Sequence, residues 1–339
     1  MSRTRDAWLF ALLGWDPTWE RRVPQRVKAL WAVAITVVAG TPGLLAFIVA
    51  YMLPPGRRWV PIAILVPFML AIPVLQVTFR RELLRRLDTD ADERAAREIQ
   101  LRLLPASLPA TPGLELAHHY APFRIVGGDY YDAIPLDASR LLVVMADVSG
   151  KGTGAALLTA TLQAILHYTA YRLVPGGDVE QSRALAPEAL AAAIDAHLLR
   201  HTEANRFATM VLAVLDTGRR RLRYVNAGHA PPIGVTADSD ALRLDSTGPP
   251  LGLLEGASWA SREVAFTSGT TILFHTDGLS ERPGPRGALY GEERILGALR
   301  ASAGQPADGV LAAVRRDADR FASGTPAEDD TALLVVRVV

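Results

Sequence analysis

The chain contains no cysteine. Disulfides, thiolate zinc sites, iron–sulfur ligation and cysteine nucleophiles are therefore excluded, and any metal must be held by oxygen or histidine. Lysine is scarce as well: Lys28 and Lys151 are the only two, and every other basic residue is arginine. An excess of either charge is also lacking. The 36 basic and 35 acidic residues leave a formal net charge of +1, which gives no electrostatic reason to expect a nucleic-acid partner. No internal repeat of solenoid length is visible.

Two stretches lack charge altogether. Residues 30–53 and 59–79 carry no charged side chain. Each is long enough to cross roughly 30 Å of hydrocarbon at about 1.5 Å per residue. Pro54-Pro55-Gly56-Arg57-Arg58 joins them, and Trp31, Tyr51 and Trp59 sit near their ends, where aromatic belts form. These features predict a two-helix transmembrane hairpin after a cytoplasmic segment, 1–29. Basic residues crowd both flanks, among them Arg21, Arg22, Arg26 and Lys28 before and Arg80, Arg81, Arg85 and Arg86 after. The positive-inside bias then puts both termini in the cytoplasm of a multi-pass inner-membrane protein, with the membrane as a partner. A linker helix is expected within 80–112, ended by Pro105, Pro109 and Pro112. Leu84, Leu87 and Ala91 have the spacing of a coiled-coil seam, but Arg94 takes the next seam position. A homodimer through this helix and a solvated spacer both remain open.

Residues 113–339 have the length of one ordinary domain. Strand-like runs lie at 114–120, 141–146, 208–215, 222–226, 271–275 and 332–338, and helical patterns at 155–171, 187–201, 292–301 and 307–321. Strands grouped with long helices between them, not in strict alternation, predict an α+β fold.

The organising stretch runs from Val143 to Gly152. An apolar strand delivers Asp147 to a glycine-rich turn, which lets the main chain and its carbonyl approach an ion closely. Asp129 follows Val126-Gly127-Gly128, Asp277 follows Ile272-Leu273-Phe274, and Asp329-Asp330 precede Leu333-Leu334-Val335-Val336. Acidic positions beside strands and turns are what an all-oxygen site for a hard divalent cation requires. Any one of these aspartates alone reads as a turn residue or a cap; only the set carries weight. Gly150-Lys151-Gly152-Thr153 is not a phosphate loop, because Met145 and Gly152 occupy positions that need Gly and Ser or Thr. Ser149 has no base and orienter suggested around it, and His118-His119 have no partner pattern.

Taken in order, the motifs carry a resemblance. They are Val126-Gly127-Gly128-Asp129-Tyr130-Tyr131-Asp132, Ala146-Asp147-Val148-Ser149-Gly150-Lys151-Gly152, Phe207-Ala208-Thr209, Asn226-Ala227-Gly228-His229-Ala230-Pro231-Pro232, Pro249-Pro250-Leu251-Gly252, Thr276-Asp277-Gly278-Leu279 and Asp329-Asp330. Residues 95–339 thereby resemble the PPM/PP2C superfamily, specifically the bacterial SpoIIE/RsbU-type serine phosphatases. Thr331-Ala332 departs from an apolar–Thr pair common in relatives. The resemblance implies a β-sandwich flanked by helices, with two Mn²⁺ or Mg²⁺ ions that activate a water for attack on phosphoserine or phosphothreonine. It implies Asp147 as the bridging ligand and the Val148 carbonyl, Asp277, Asp329 and Asp129 as further ligands. Asp147, Asp277 and Asp329 would carry the catalysis, with Asp330 and His229 beside the ligands and not among them. It further implies a phosphorylated STAS-type anti-sigma-factor antagonist as substrate, in partner switching. The competing reading is a docking protein on a degenerate phosphatase fold, against which the retained acidic set argues.

Overall fold

The structure, a computed structural model, describes residues 47–61, 63, 78, 82, 103–123, 127–150, 153–172, 186–201 and 206–339. The chain divides into two units, Met1–Ala91 and Asp92–Val339.

In the first unit, a helix at 47–52 ends in a tight turn at Pro55–Arg57. Pro54 accepts from the Arg57 amide at 2.9 Å. The Trp59 indole donates to the Gly56 carbonyl at 3.1 Å. The turn between the two apolar runs is thus where the prolines and glycine put it. The expected multi-pass inner-membrane placement is corrected. Among the described residues, no helix is long and apolar enough to cross a membrane. The segment 1–29, the rest of the 30–53 run and most of 59–79 lie outside the described residues, as does most of the linker helix with its proposed dimer seam.

In the second unit, the chain runs β1 (Leu114–Ala121), β2 (Asp129–Pro135), β3 (Arg140–Val148), α1 (Thr153–Arg172), α2 (Pro187–His201), β4 (Ala208–Asp216) and β5 (Arg221–Ala227). It continues through β6 (Ile233–Val235), β7 (Ala241–Arg243), β8 (Arg262–Ala265), β9 (Thr271–His275), α3 (Asp277–Ser280), α4 (Gly291–Ala301), α5 (Ala307–Ala322) and β10 (Thr331–Val338). The strands form two five-stranded antiparallel sheets, ordered β2-β3-β4-β5-β8 and β1-β10-β9-β6-β7.

Side-chain alternation stacks these layers. Along β10, Ala332, Leu334 and Val336 join the core between the sheets, while Leu333 and Val335 join a second core with Ile295, Leu299, Val310 and Val314 of α4 and α5. Period-2 geometry sends successive side chains to opposite faces, so one strand feeds both cores. β3 is central in its sheet and apolar without interruption from Leu141 to Ala146, because α1 covers one face and the other sheet covers its opposite. The linker's described end docks on this unit: Leu104 is buried in the larger core, and the Gln163 amide of α1 donates to the Leu103 carbonyl at 2.7 Å.

Candidate active site

Four strand ends meet at one edge of the sandwich. β2 begins with Asp129 and β3 ends just past Asp147; the two aspartates are direct cross-strand partners. Thr209 of β4 is the partner of Asp147 on its other side. From the second sheet, β9 hands the chain through Thr276 to Asp277, and Asp329-Asp330 lead into β10.

Two glycines allow this crowding. A Cβ on Gly278 would lie 1.8 Å from the Asp330 carbonyl oxygen. Only glycine lets the turn after Asp277 pass so close to the Asp329-Asp330 backbone. A Cβ on Gly128 would lie 2.7 Å from the Val148 carbonyl oxygen and 2.9 Å from Asp147 Oδ1. These two oxygens therefore face one small space, which Gly128 leaves open.

Hydrogen bonds fix the carboxylates unequally. Asp129 is buried, and its Oδ2 accepts from the Thr276 hydroxyl at 2.7 Å. Asp330 is buried and spends both oxygens on main chain: Oδ1 accepts from the Phe123 amide at 2.7 Å and Oδ2 from the Gly128 amide at 3.0 Å. Asp329 is exposed and accepts from the Asp330 amide at 2.9 Å. Asp147 and Asp277 are half-buried beside a cavity of about 320 Å³, which Thr209, His229, Ser280 and Glu281 also line.

The electrostatics show mutual repulsion. Burial, then Asp277, Asp329 and Asp330, push the Asp147 carboxyl up to about 6. Burial raises Asp129 well above the usual carboxylate range; Thr276 opposes this, while Asp147, Asp330 and Asp277 add to it. Asp277 is raised by burial, then by Asp329 and Glu281. No lysine or arginine lines the cavity among the described residues.

His229 sits in the crossover from β5 of one sheet to β6 of the other. Its amide donates to Asn226 Oδ1 at 2.8 Å, and Asn226 Nδ2 donates back to the His229 carbonyl at 3.2 Å. His229 Nδ1 is 2.8 Å from the Thr209 hydroxyl. Burial, then His275, lowers its pKa to about 3, so the ring is neutral. Ser149 is committed elsewhere, its hydroxyl accepting from the Phe207 amide at 2.8 Å.

Among the described residues, no three His, Asp or Glu side chains are gathered tightly enough to hold an ion as they stand. The donors nonetheless fit one. They are hard oxygens only, the chemistry that suits Mg²⁺ or Mn²⁺. Like charges raise one another's pKa here, and a cation relieves that repulsion. The space at Gly128 already joins a carbonyl and a carboxylate.

Comparison with known proteins settles the family. The sequence profile of stage II sporulation protein E (SpoIIE) matches residues 137–339. The chain belongs to the SpoIIE family. Protein IcfG of Synechocystis sp. is 26% identical over 256 residues, 71% of this chain and 40% of the relative. Phosphoserine phosphatase RsbP of Bacillus subtilis is 26% identical over 200 residues, 58% of this chain and 47% of the relative. The chain thus spans less than half the length of either relative. The SiaA PP2C domain of Pseudomonas aeruginosa superposes with a TM-score of 0.63 at 22% identity, covering 75% of this chain and 99% of that one. The structure of the RsbU and RsbW domains of Rv1364c from Mycobacterium tuberculosis has a TM-score of 0.57 at 29% identity, covering 69% and 63%. The SpoIIE-family fold here is a PP2C fold, the α+β sandwich that the motifs imply.

Sequence reasoning passed over Thr276, Thr209 and Glu281 as residues of the site. Thr276 stood in plain sight beside Asp277, but nothing in its spacing shows that it reaches Asp129, distant in sequence and on the other sheet.

Proposed function

We propose that this SpoIIE-family chain is a metal-dependent protein phosphatase that hydrolyses phosphoserine or phosphothreonine. The observation that carries this reading is the acidic cavity edge. Asp147 and Asp277 line the cavity, Asp129 and Asp329 lie close enough to repel them, and among the described residues no lysine or arginine lines it. A phosphoryl dianion entering such a cavity meets only repulsion until cations reverse the sign of the field. Asp147, at the end of β3 between Asp129 and Thr209, would bridge two Mn²⁺ or Mg²⁺ ions. The Val148 carbonyl, Asp129, Asp277 and Asp329 would complete their coordination. When bound, the ions supply a nucleophilic water at neutral pH and neutralise the phosphoryl oxygens. The chain's part is placement. Strand register holds Asp129 against Asp147, and Gly278 brings Asp277 to Asp329. Asp330 holds the surrounding main chain, and the His229 ring meets the Thr209 hydroxyl beside Asp147.

The names of the relatives support a substrate class. RsbP is named a phosphoserine phosphatase, and Rv1364c carries RsbU and RsbW domains in one chain. These support a phosphorylated protein of the STAS anti-sigma-antagonist type, whose dephosphorylation drives partner switching. The test is phosphate release from a phosphoserine protein with and without Mn²⁺, beside Asp147→Asn. We expect Mn²⁺-dependent turnover that falls by about 10²–10³ in the variant, the scale of a lost transition-state charge contact. A chain that neither binds Mn²⁺ nor releases phosphate would be a docking protein instead.

A further inference from the structure

Thr276 is fully buried at the end of β9, immediately before Asp277. Its hydroxyl joins three strands of two sheets. It accepts from the Ala332 amide of β10 at 2.9 Å and donates to Asp129 Oδ2 of β2 at 2.7 Å. The Thr276 amide in turn donates to the Ala332 carbonyl at 3.1 Å. A hydroxyl has one proton to give. With the Ala332 amide on its oxygen, that proton goes to Asp129. β-branching also restricts χ1, so the donor is preset in direction.

Asp129 needs such a hold. It lies directly across from Asp147, and like charges in opposed strand positions repel. Without a fixed donor, a buried carboxylate there has every reason to turn away from its partner. Held by one oxygen, it has the other to offer a cation.

We propose that Thr276 is a positioning residue of the ion site, locking the Asp129 carboxylate in the orientation that receives a divalent cation. The same hydroxyl ties that carboxylate to the strand that delivers Asp277 and to the strand that Asp329 leads into. The proposal rests on the metal-dependent phosphatase reading and deepens it. Supporting groups of this kind change metal affinity by about 10–100-fold when removed.

The test measures Mn²⁺ binding by the full chain with calorimetry, with no substrate present. Thr276→Val, near-isosteric but without the hydroxyl, is expected to weaken Mn²⁺ binding about 10–100-fold. Thr276→Ser, which keeps the hydroxyl, is expected to bind within about threefold of wild type, well inside the range a lost supporting group produces. In an Asp129→Ala background, Thr276→Val should cost nothing further, because the group it acts through is gone. Equal Mn²⁺ affinity in wild type and Thr276→Val overturns the proposal alone, and so does an undiminished loss in the Asp129→Ala background. Should the valine variant fail to fold, a serine variant that binds tenfold more weakly overturns it as well. A wild-type chain that binds no Mn²⁺ overturns the phosphatase reading and this proposal together.

Discussion

Asp329 and Asp330 are adjacent in sequence and opposite in setting. Asp330 has both oxygens engaged by the amides of Phe123 and Gly128, so little of it remains for a cation. Asp329 is exposed and only partly engaged. In the proposed site the first holds the loop that carries Asp129, and the second holds the ion. Asp147 illustrates what such a site costs without its ion. Its carboxyl titrates at about 6 in the folded chain against an ordinary 3.8. Between those values the folded chain keeps a proton that the unfolded chain releases, so its contribution lowers stability as pH rises through the window. The buried histidines act in the opposite sense. His229, lowered to about 3, removes stability as pH falls below its ordinary 6.5. The difference between wild type and Asp147→Asn isolates the carboxyl. With chelator present, the variant should gain melting temperature relative to wild type as pH rises from about 4 to about 6, and hold that gain above it. A difference that is flat across the window, followed by circular dichroism, rules out the repulsion described for this residue.

At the scale of elements, the site depends on how closely two turns pass. A Cβ on Gly278, in the first turn of α3, would lie 1.8 Å from the Asp330 carbonyl oxygen, deep in steric overlap. That neighbour is backbone and cannot swing aside. Gly278→Ala should therefore cost about 1–3 kcal/mol in urea unfolding, as overpacked sites do, and should abolish Mn²⁺ binding. Gly297, within α4, meets nothing within 4 Å of an added Cβ. Gly297→Ala should instead stabilise by about 0.5–1 kcal/mol, the helix preference of alanine, and leave Mn²⁺ binding unchanged. Elements differ as much in legibility. β3, β4 and β10 are plain in the sequence because central strands covered on both faces are continuous apolar runs. β2 is not: Asp129-Tyr130-Tyr131-Asp132 interrupts the pattern with buried polar groups, which a hydrophobic count reads as a loop. β6, β7 and β8 are too short to show a period. The aspartates of the candidate site stood out in the sequence since each borders a strand or a glycine turn. Thr276 and Thr209 were not, because only pairing register and the stacking of two sheets reveal what they touch. The apolar runs at 30–53 and 59–79 predicted membrane spans, but among the described residues no helix is long and apolar enough to cross a membrane.

At the scale of the whole molecule, the proposed ions stand between two sheets. Asp129, Asp147 and Val148 belong to one sheet; Asp277 and Asp329 flank strands of the other. A cation held by all of them can persist only while the sheets stay packed, because the unfolded chain cannot bring such distant segments together. Binding is then coupled to global stability. A ligand present at a hundredfold above its dissociation constant stabilises by about 2.7 kcal/mol. For a domain of this size each kcal/mol shifts the melting temperature by roughly 2–4 °C. Saturating Mn²⁺ or Mg²⁺ should therefore raise the melting temperature by roughly 5–10 °C, in a single transition seen alike by near- and far-ultraviolet circular dichroism. Ca²⁺ at the same concentration tests geometry, since it takes more ligands at longer distances. Asp147→Asn should erase the shift, because it removes the proposed bridging donor, while Asp330→Asn, which keeps acceptor and shape at one oxygen, should retain part of it. A full shift in the Asp147 variant would mean that the ion binds elsewhere on the molecule, and the sandwich edge would lose its claim to be the metal centre.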